Sequence, residues 1–309
     1  MRERQSGARG CPYQWQIRIS DHGNARRIRT AFGEKEAVRG GAVRVDDHVV
    51  NSALNESGRG NTDAVVLLHG LGTSGWMWHR IAPALAEDFH VLVPDLPGHG
   101  RSGRAWVSLA DTVQAVAELI RSRTAAGRAH VVGLSLGGYV AALLAANEPA
   151  VTRSVVVSGV NVLPFPHPTM MRLLGRVIGP FATSGPMVRA NAKALKVPPG
   201  DFAGYRKAAK EVARGTFARV GDEVTVFGVP AEAGSSPCRL LAVAGANENE
   251  MILRSLPILA DGFASGDARL VPGVGHAWSG EEPDLFTAMI RAHIADTELP
   301  PSLYRPAEA

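Results

Sequence analysis

The chain has 309 residues, 45% hydrophobic and 20% charged, and no run of eighteen apolar residues, so we expect a cytoplasmic globular protein with no membrane partner. Its net charge of +4 is uneven: residues 1–40 carry nine Lys and Arg against four Asp and Glu, residues 160–236 carry ten against five, and the remainder is acidic. Because basic residues are not interleaved with aromatics, and only Cys11 and Cys238 could pair, we expect neither a nucleic-acid partner nor a disulfide framework.

Residues 1–40 are polar and lack both an apolar run of seven and a regular pattern. We therefore predict a flexible N-terminal arm rather than a signal peptide. An alternative is that the chain begins nearer Val43 and the upstream residues are not part of the native protein.

Residues 41–160 alternate between strand and helix patterns and are predicted to form the first part of a core. The expected elements are a hairpin over Val43–Leu54, strands over Ala64–Leu68, Phe89–Pro94, Ala129–Leu134 and Val151–Ser158, and helices over Trp76–Ala86, 109–120 and Leu136–Asn147. Alternating strands and helices predict an α/β fold with a mostly parallel, doubly wound sheet.

The alternation stops over residues 161–236, which we predict to be an inserted helical cap. It resumes over residues 237–299, the second part of the core, and residues 300–309 form a C-terminal tail. The resumed elements are strands over Arg239–Ala244 and Ala268–Val271 and helices over Met251–Phe263 and Pro283–Ala295. Most apolar side chains of the cap are expected to bury against the core: Phe165, Met170, Met171, Leu173, Leu174, Val177, Ile178, Phe181, Met187 and Leu195.

The segment Gly133-Leu134-Ser135-Leu136-Gly137 lies between a predicted strand and a predicted helix. A serine on so tight a turn is exposed at the end of the strand, and the flanking glycines remove side chains that would clash there. This context, more than the motif alone, predicts that Ser135 is a nucleophile.

The loop His69-Gly70-Leu71-Gly72 follows the first buried strand. Acyl transfer needs two convergent amide donors for the developing oxyanion, and we expect them to be the backbone N–H groups of Leu71 and Leu136. His69 and Gly70 are therefore candidates for the substrate pocket. The alternative is that the glycines only make a turn and His69 only packs against it.

His276 lies in the loop Pro272-Gly273-Val274-Gly275-His276, after the last predicted strand. A histidine that titrates near neutrality can accept the serine proton and return it to the leaving group. We therefore predict His276 as the general base, with Trp278 beside it as a candidate pocket wall. The alternative is a loop histidine with a structural role only.

The order HGLG, PDLPGHGRS, GLSLGG, insertion and PGVGH resembles the α/β-hydrolase superfamily, in particular its lipase/esterase and enol-lactonase branch. The resemblance implies that Ser135, Glu248 and His276 form a triad, with Glu248 at the position where the family has the acid in G-x-x-D. The family's other acid position reads Ser158-Gly159-Val160-Asn161 and holds no carboxylate. Glu250 is the near rival.

These observations predict a serine hydrolase that cleaves a carboxylic ester, lactone or acyl thioester. Because metal-ligand spacing and a phosphate loop are both missing from the sequence, we expect no metal and no cofactor. A biosynthetic cyclase or C–C hydrolase with the same residues, or a small-molecule receptor, remains an alternative. The basic insertion is also compatible with a carboxylate substrate or an acidic carrier protein.

Overall fold

The computed structural model describes residues 53–306. The predicted arm and most of the predicted hairpin lie outside these residues. The described residues form a seven-stranded sheet in the order β1-β3-β2-β4-β5-β6-β7. The strands are β1 (Leu54–Ser57), β2 (Ala64–Leu68), β3 (His90–Pro94), β4 (Ala129–Leu134), β5 (Thr152–Ser158), β6 (Arg239–Gly245) and β7 (Gly266–Val271).

Helices cover both faces of this sheet, as the buried side chains of its central strands require. They are α1 (Ala82–Leu85), α2 (Leu109–Arg123), α3 (Leu136–Asn147), α4 (Pro168–Ile178), α5 (Gly185–Ala194), α6 (Phe202–Lys210), α7 (Thr216–Val224), α8 (Glu250–Asp261), α9 (Trp278–Glu281) and α10 (Pro283–Ala295). We call residues 161–236, which contain α4 to α7, the helical insertion.

The order of the strands creates the place for a site. Strand β1 pairs antiparallel with β3, and the other neighbouring strands pair parallel. The order along the chain reverses between β2 and β4, which lie side by side with Leu68 opposite Gly133. Ligands of open α/β sheets bind beyond the carboxyl ends of the strands at such a reversal. The predicted fold class is confirmed, and the loops after β2 and β4 meet at this reversal.

The predicted helix over Trp76–Ala86 is wrong in detail, because the structure has two short pieces. A 3-10 turn covers Gly75–Trp78 and is capped by the Ser74 hydroxyl, and α1 begins only at Ala82. Pro83 at the start of α1 has no N–H to donate to the preceding turn, which favours a break in the helix at this point. The predicted bounds of β2, β4, α3 and α10 are confirmed, the other predicted strands and helices differ by one to three residues at an end, and α9 was not predicted.

The apolar side chains of α4 are also placed differently from the prediction. All eleven residues of α4 are exposed or half-buried, and its large apolar side chains point away from the core. The expectation that they bury is therefore wrong for this helix. The prediction rested on the apolar character of these residues, which does not indicate whether they face the core or the solvent.

Burial shapes the titration of four histidines. Loss of hydration lowers the pKa of His69 to about 4, of His99 to about 3, and of His130 and His293 to about 4. In an unfolded chain these imidazoles titrate near 6.5. The folded protein therefore holds them neutral where the unfolded chain binds protons.

The free energy of unfolding is expected to fall as pH drops from about 6.5 towards 5, because the unfolded state binds more protons in this window. Each such histidine contributes up to about 1.4 kcal/mol per pH unit. Urea denaturation at several pH values measures the slope of the free energy of unfolding against pH. His130→Gln should reduce this slope by up to about 1.4 kcal/mol per pH unit, the contribution of one histidine. A flat profile would show that these groups do not titrate as stated.

Candidate active site

Ser135 occupies the turn between β4 and α3 in a strained conformation, with φ 53° and ψ −115°. Such a conformation costs a non-glycine residue about 1–3 kcal/mol and recurs at functional sites. An added Cβ at Gly133 would collide with the Gly137 carbonyl, and one at Gly137 would collide with the Leu68 carbonyl. Both glycines are therefore required by close backbone approach, which explains the G-x-S-x-G pattern sterically.

Hydrogen bonds join this turn to its neighbours. The Ser135 N–H donates to the Ser158 carbonyl at 2.8 Å, and the Gly137 N–H donates to the His69 carbonyl at 3.0 Å. Leu136 begins α3, where backbone N–H groups have no carbonyl in a preceding turn to bond. In the loop after β2 the Gly70 N–H donates to the Met77 sulfur at 3.3 Å, which leaves the Leu71 N–H as the donor that this loop can supply beside Leu136.

His276 and Glu248 form a close pair, with 2.5 Å between His276 Nδ1 and Glu248 Oε1. The Glu248 side chain is only 5% exposed, whereas that of His276 is 27% exposed. With Nδ1 donating to the carboxylate, Nε2 is left to accept a proton from another group. The loop after β6 reaches the loop after β7 because Gly245 lacks a side chain, and its Cβ would collide with the Val274 carbonyl.

Glu250 has a different position. It is the first residue of α8 and is exposed, and the Asn249 side chain caps this helix by accepting from the Met251 N–H. A carboxylate in the first turn of a helix interacts favourably with the helix dipole. Glu248, not Glu250, is the carboxylate that contacts His276.

Gly159 lies against the His276–Glu248 pair. In the sequence it was named only as part of a segment without a carboxylate. Its φ is +67°, and an added Cβ would lie 2.9 Å from His276 Cε1, 3.0 Å from His276 Nδ1 and 3.2 Å from Glu248 Oε1. At the family's second acid position this chain therefore has a glycine, and the His276 imidazole packs against its backbone.

A cavity of about 150 Å³ opens beside Ser135 and His276. Its walls come from the loops after β2, β4 and β7 and from the helical insertion, and they are mainly apolar. The lining residues are Gly70, Leu71, Thr73, Trp76, Met77, His79, Arg80, Leu134, Ser135, Leu195, Lys196, Val197, Pro198, Asp201, Tyr205, His276, Ala277, Ser279 and Gly280. The insertion residues among them carry no sequence motif that would have revealed them.

Two ion pairs tie the helical insertion to the core at this cavity. Arg80 binds Asp201 at 2.7 Å, and Lys196 binds Glu281 at 3.0 Å. In each pair one partner belongs to the insertion and the other to the core. The cations that line the cavity are therefore neutralised by carboxylates.

Two predicted pocket residues lie elsewhere. His69 is fully buried: its Nδ1 lies 2.9 Å from the Gly70 carbonyl, and its Nε2 accepts from the Leu96 N–H. Trp278 is fully buried too, packs on Phe286 with 4.3 Å between ring centroids, and donates to the Ser158 hydroxyl. Neither side chain is among those that line the described cavity, so both predictions are corrected, whereas Gly70 does line it. Each large ring is more stable packed among loops than exposed in the pocket.

Within residues 53–306 no three His, Cys, Asp or Glu side chains lie close enough together to bind a metal ion. None of the helices in the same range combines the length and apolar content needed to cross a bilayer.

A mostly parallel sheet, with a serine in a strained turn after β4 beside the loop after β2, defines the class of α/β hydrolases. The model of the Alpha/beta hydrolase family matches residues 65–289. The chain belongs to this family.

Individual relatives agree with this placement. An AB hydrolase superfamily protein of Gibberella zeae is 30% identical over 245 residues, covering 77% of this chain and 82% of the relative. A pimeloyl-[acyl-carrier protein] methyl ester esterase of Aeromonas hydrophila is 40% identical over 95 residues, 30% of this chain and 35% of that enzyme. The crystal structure of the enol-lactonase from Burkholderia xenovorans shares the fold, with a TM-score of 0.65 and 23% identity over 78% of this chain and 95% of the lactonase.

Proposed function

We propose that this hydrolase cleaves a small carboxylic ester, lactone or acyl thioester through an acyl-enzyme intermediate on Ser135. The observation that carries the proposal is that Ser135 and His276 line one cavity while Glu248 holds the far side of the imidazole at 2.5 Å. The esterase and the enol-lactonase among the similar proteins support the same reaction class. The predicted role of residues 161–236 as a cap is part of this proposal, and the cytoplasmic location stays a prediction.

The reaction follows from the positions of the protons. His276 Nε2 takes the proton of the Ser135 hydroxyl as its oxygen bonds to the substrate carbonyl carbon, and the carbonyl electrons move to oxygen. The amides of Leu71 and Leu136 donate to this oxyanion. Collapse breaks the bond to the leaving group, which receives the proton from His276. Water then attacks the acyl-enzyme by the same route in reverse and releases the acid and free Ser135.

The chemistry of the cavity favours an acyl group that is largely apolar. Leu71, Trp76, Leu195, Val197 and Tyr205 line the cavity, and its charged residues are paired with one another. An uncompensated charge on the substrate would lose hydration there without gaining a free partner.

A panel of activated esters, lactones and acyl thioesters tests the proposal, together with a fluorophosphonate probe located by mass spectrometry. We expect turnover of at least one class and covalent labelling at Ser135. Labelling without turnover of any class would favour the cyclase, C–C hydrolase or receptor alternatives. Absence of both would overturn the assignment of Ser135.

Gly159→Ala is expected to lower kcat by about 10²-fold, because its methyl group would displace the imidazole from Glu248 and a shift of about 1 Å can cost that much. The left-handed backbone also costs alanine about 1–2 kcal/mol of stability. Steady-state kinetics and urea denaturation measure the two effects.

Gly127→Ala is the matched control. Gly127 has a similar φ of +60°, and the described residues leave open space within 4 Å of an added Cβ. It should lose similar stability while keeping normal kcat. Equal kinetics in the two variants would show that Gly159 does not position His276.

A further inference from the structure

Helix α4 turns an apolar face outward. Met170, Leu173, Val177 and Phe181 are 60%, 63%, 60% and 63% exposed, the last lying one turn beyond the helix. Their spacing of three or four residues places them along one side of the helix. We call these four residues the outer face.

The inward side of α4 is small or charged. Arg172 and Gly175 are half-buried, and Arg176, whose side chain is 63% exposed, lies at the edge of this side and forms an ion pair at 2.8 Å with Asp222 of α7. Gly179, just after the helix, approaches the backbone of Ala218 closely, with an added Cβ 3.6 Å from its nitrogen. The usual arrangement of an amphipathic surface helix is thus inverted. A contiguous apolar patch of this kind marks an interaction site.

The charge of α4 selects among partners, because this helix contains Arg172 and Arg176 and no acidic residue. The helical insertion carries ten Lys and Arg against five Asp and Glu. The acids on α7 are engaged, since Asp222 pairs with Arg176 and Glu223 accepts from the Trp106 side chain and the Leu109 N–H. A second copy docked through the same face would bring its own Arg172 and Arg176 against these arginines, which disfavours it. An anionic partner is complementary to it.

The shape of the outer face favours a fluid surface over a folded protein. It is a single helix, and none of its eleven residues is buried. A helix with apolar side chains on one side and arginines beside them can lie flat in a lipid headgroup region.

We infer that the outer face of α4 docks on the surface of an anionic lipid bilayer, with its apolar side chains entering the boundary between headgroups and acyl chains. The sequence-based expectation of no membrane partner rested on spanning segments, and this contact needs none. The inference does not depend on the proposed hydrolysis.

Flotation of the full chain with vesicles tests it, using phosphatidylcholine alone and phosphatidylcholine with phosphatidylglycerol. The chain should float with the anionic vesicles and much less with the neutral ones, and added salt should weaken binding. A variant combining Leu173→Ser, Val177→Ser and Phe181→Ser should lower the partition coefficient at least about tenfold, because three apolar side chains no longer enter the lipid.

The control combines Ile258→Ser with Tyr304→Ser, two exposed side chains outside the insertion, and should partition within about twofold of the wild type. Both variants should keep their melting temperature and their activity on a soluble ester. The inference would be overturned if the wild type did not float, or if flotation survived the triple substitution. It would also be overturned if the triple substitution abolished a stable dimer, or a complex with an acidic carrier protein, and left flotation unchanged.

Discussion

Ser135→Ala should lower kcat for an activated ester by about 10³-fold or more, since loss of a nucleophile in a serine triad typically costs that much. The hydroxyl is half-exposed at the cavity and supports no core packing, so the free energy of unfolding should change by less than about 0.5 kcal/mol. The alanine inherits the left-handed backbone, so the strain at this position remains. Steady-state kinetics and urea denaturation on the same preparations measure both quantities.

Ser265→Ala supplies the control for this experiment. Ser265 is exposed just before β7, outside the described cavity, and its substitution should leave both quantities unchanged. The fluorophosphonate probe should label the wild type and the control but not Ser135→Ala. If Ser135→Ala kept more than about a tenth of the wild-type kcat, another nucleophile would have to be sought.

Glu248→Gln should lower kcat by about 10² to 10⁴-fold, because the amide no longer stabilises the imidazolium that forms when His276 takes the serine proton. The amide has nearly the shape of the carboxylate, so packing against Gly159 and overall stability should be close to normal. The contact of 2.5 Å between Glu248 and His276 is the observation behind this expectation. Measuring kcat/KM on one activated ester is sufficient.

Glu250→Gln is the matched control, two residues away and of the same chemistry. It should leave turnover near normal and cost about 0.3 to 1 kcal/mol of stability, because the lost charge lies at the start of α8. If Glu250→Gln had strongly reduced kcat, Glu250 would be the triad acid instead of Glu248. If neither variant were impaired, the site would work as a serine–histidine dyad and the receptor alternative would gain ground.

The helical insertion is the part of the fold that local sequence patterns describe least well. The sequence showed that α4 is rich in apolar residues, but their burial depends on which side of the helix meets α7. The pair between Arg176 and Asp222 and the close approach at Gly179 join residues about forty apart in the chain, so no local pattern contains them. The same holds for Tyr205, which reaches the cavity only through the folding of the insertion.

The sequence by itself determined the features that depend on neighbours along the chain: the alternation of strands and helices, the glycines around Ser135, and hence the parallel fold. The burial of strand side chains and the close approach between Gly133 and Gly137 act over a few residues, so a pattern records them, whereas the contact of Gly137 with the Leu68 carbonyl is set by the tertiary structure. Only the tertiary structure decided that Glu248 rather than Glu250 meets His276, that Gly159 supports the imidazole, and that His69 and Trp278 pack away from the described cavity. These outcomes depend on the direction of side chains across separate loops, which is set by the packing of the whole domain.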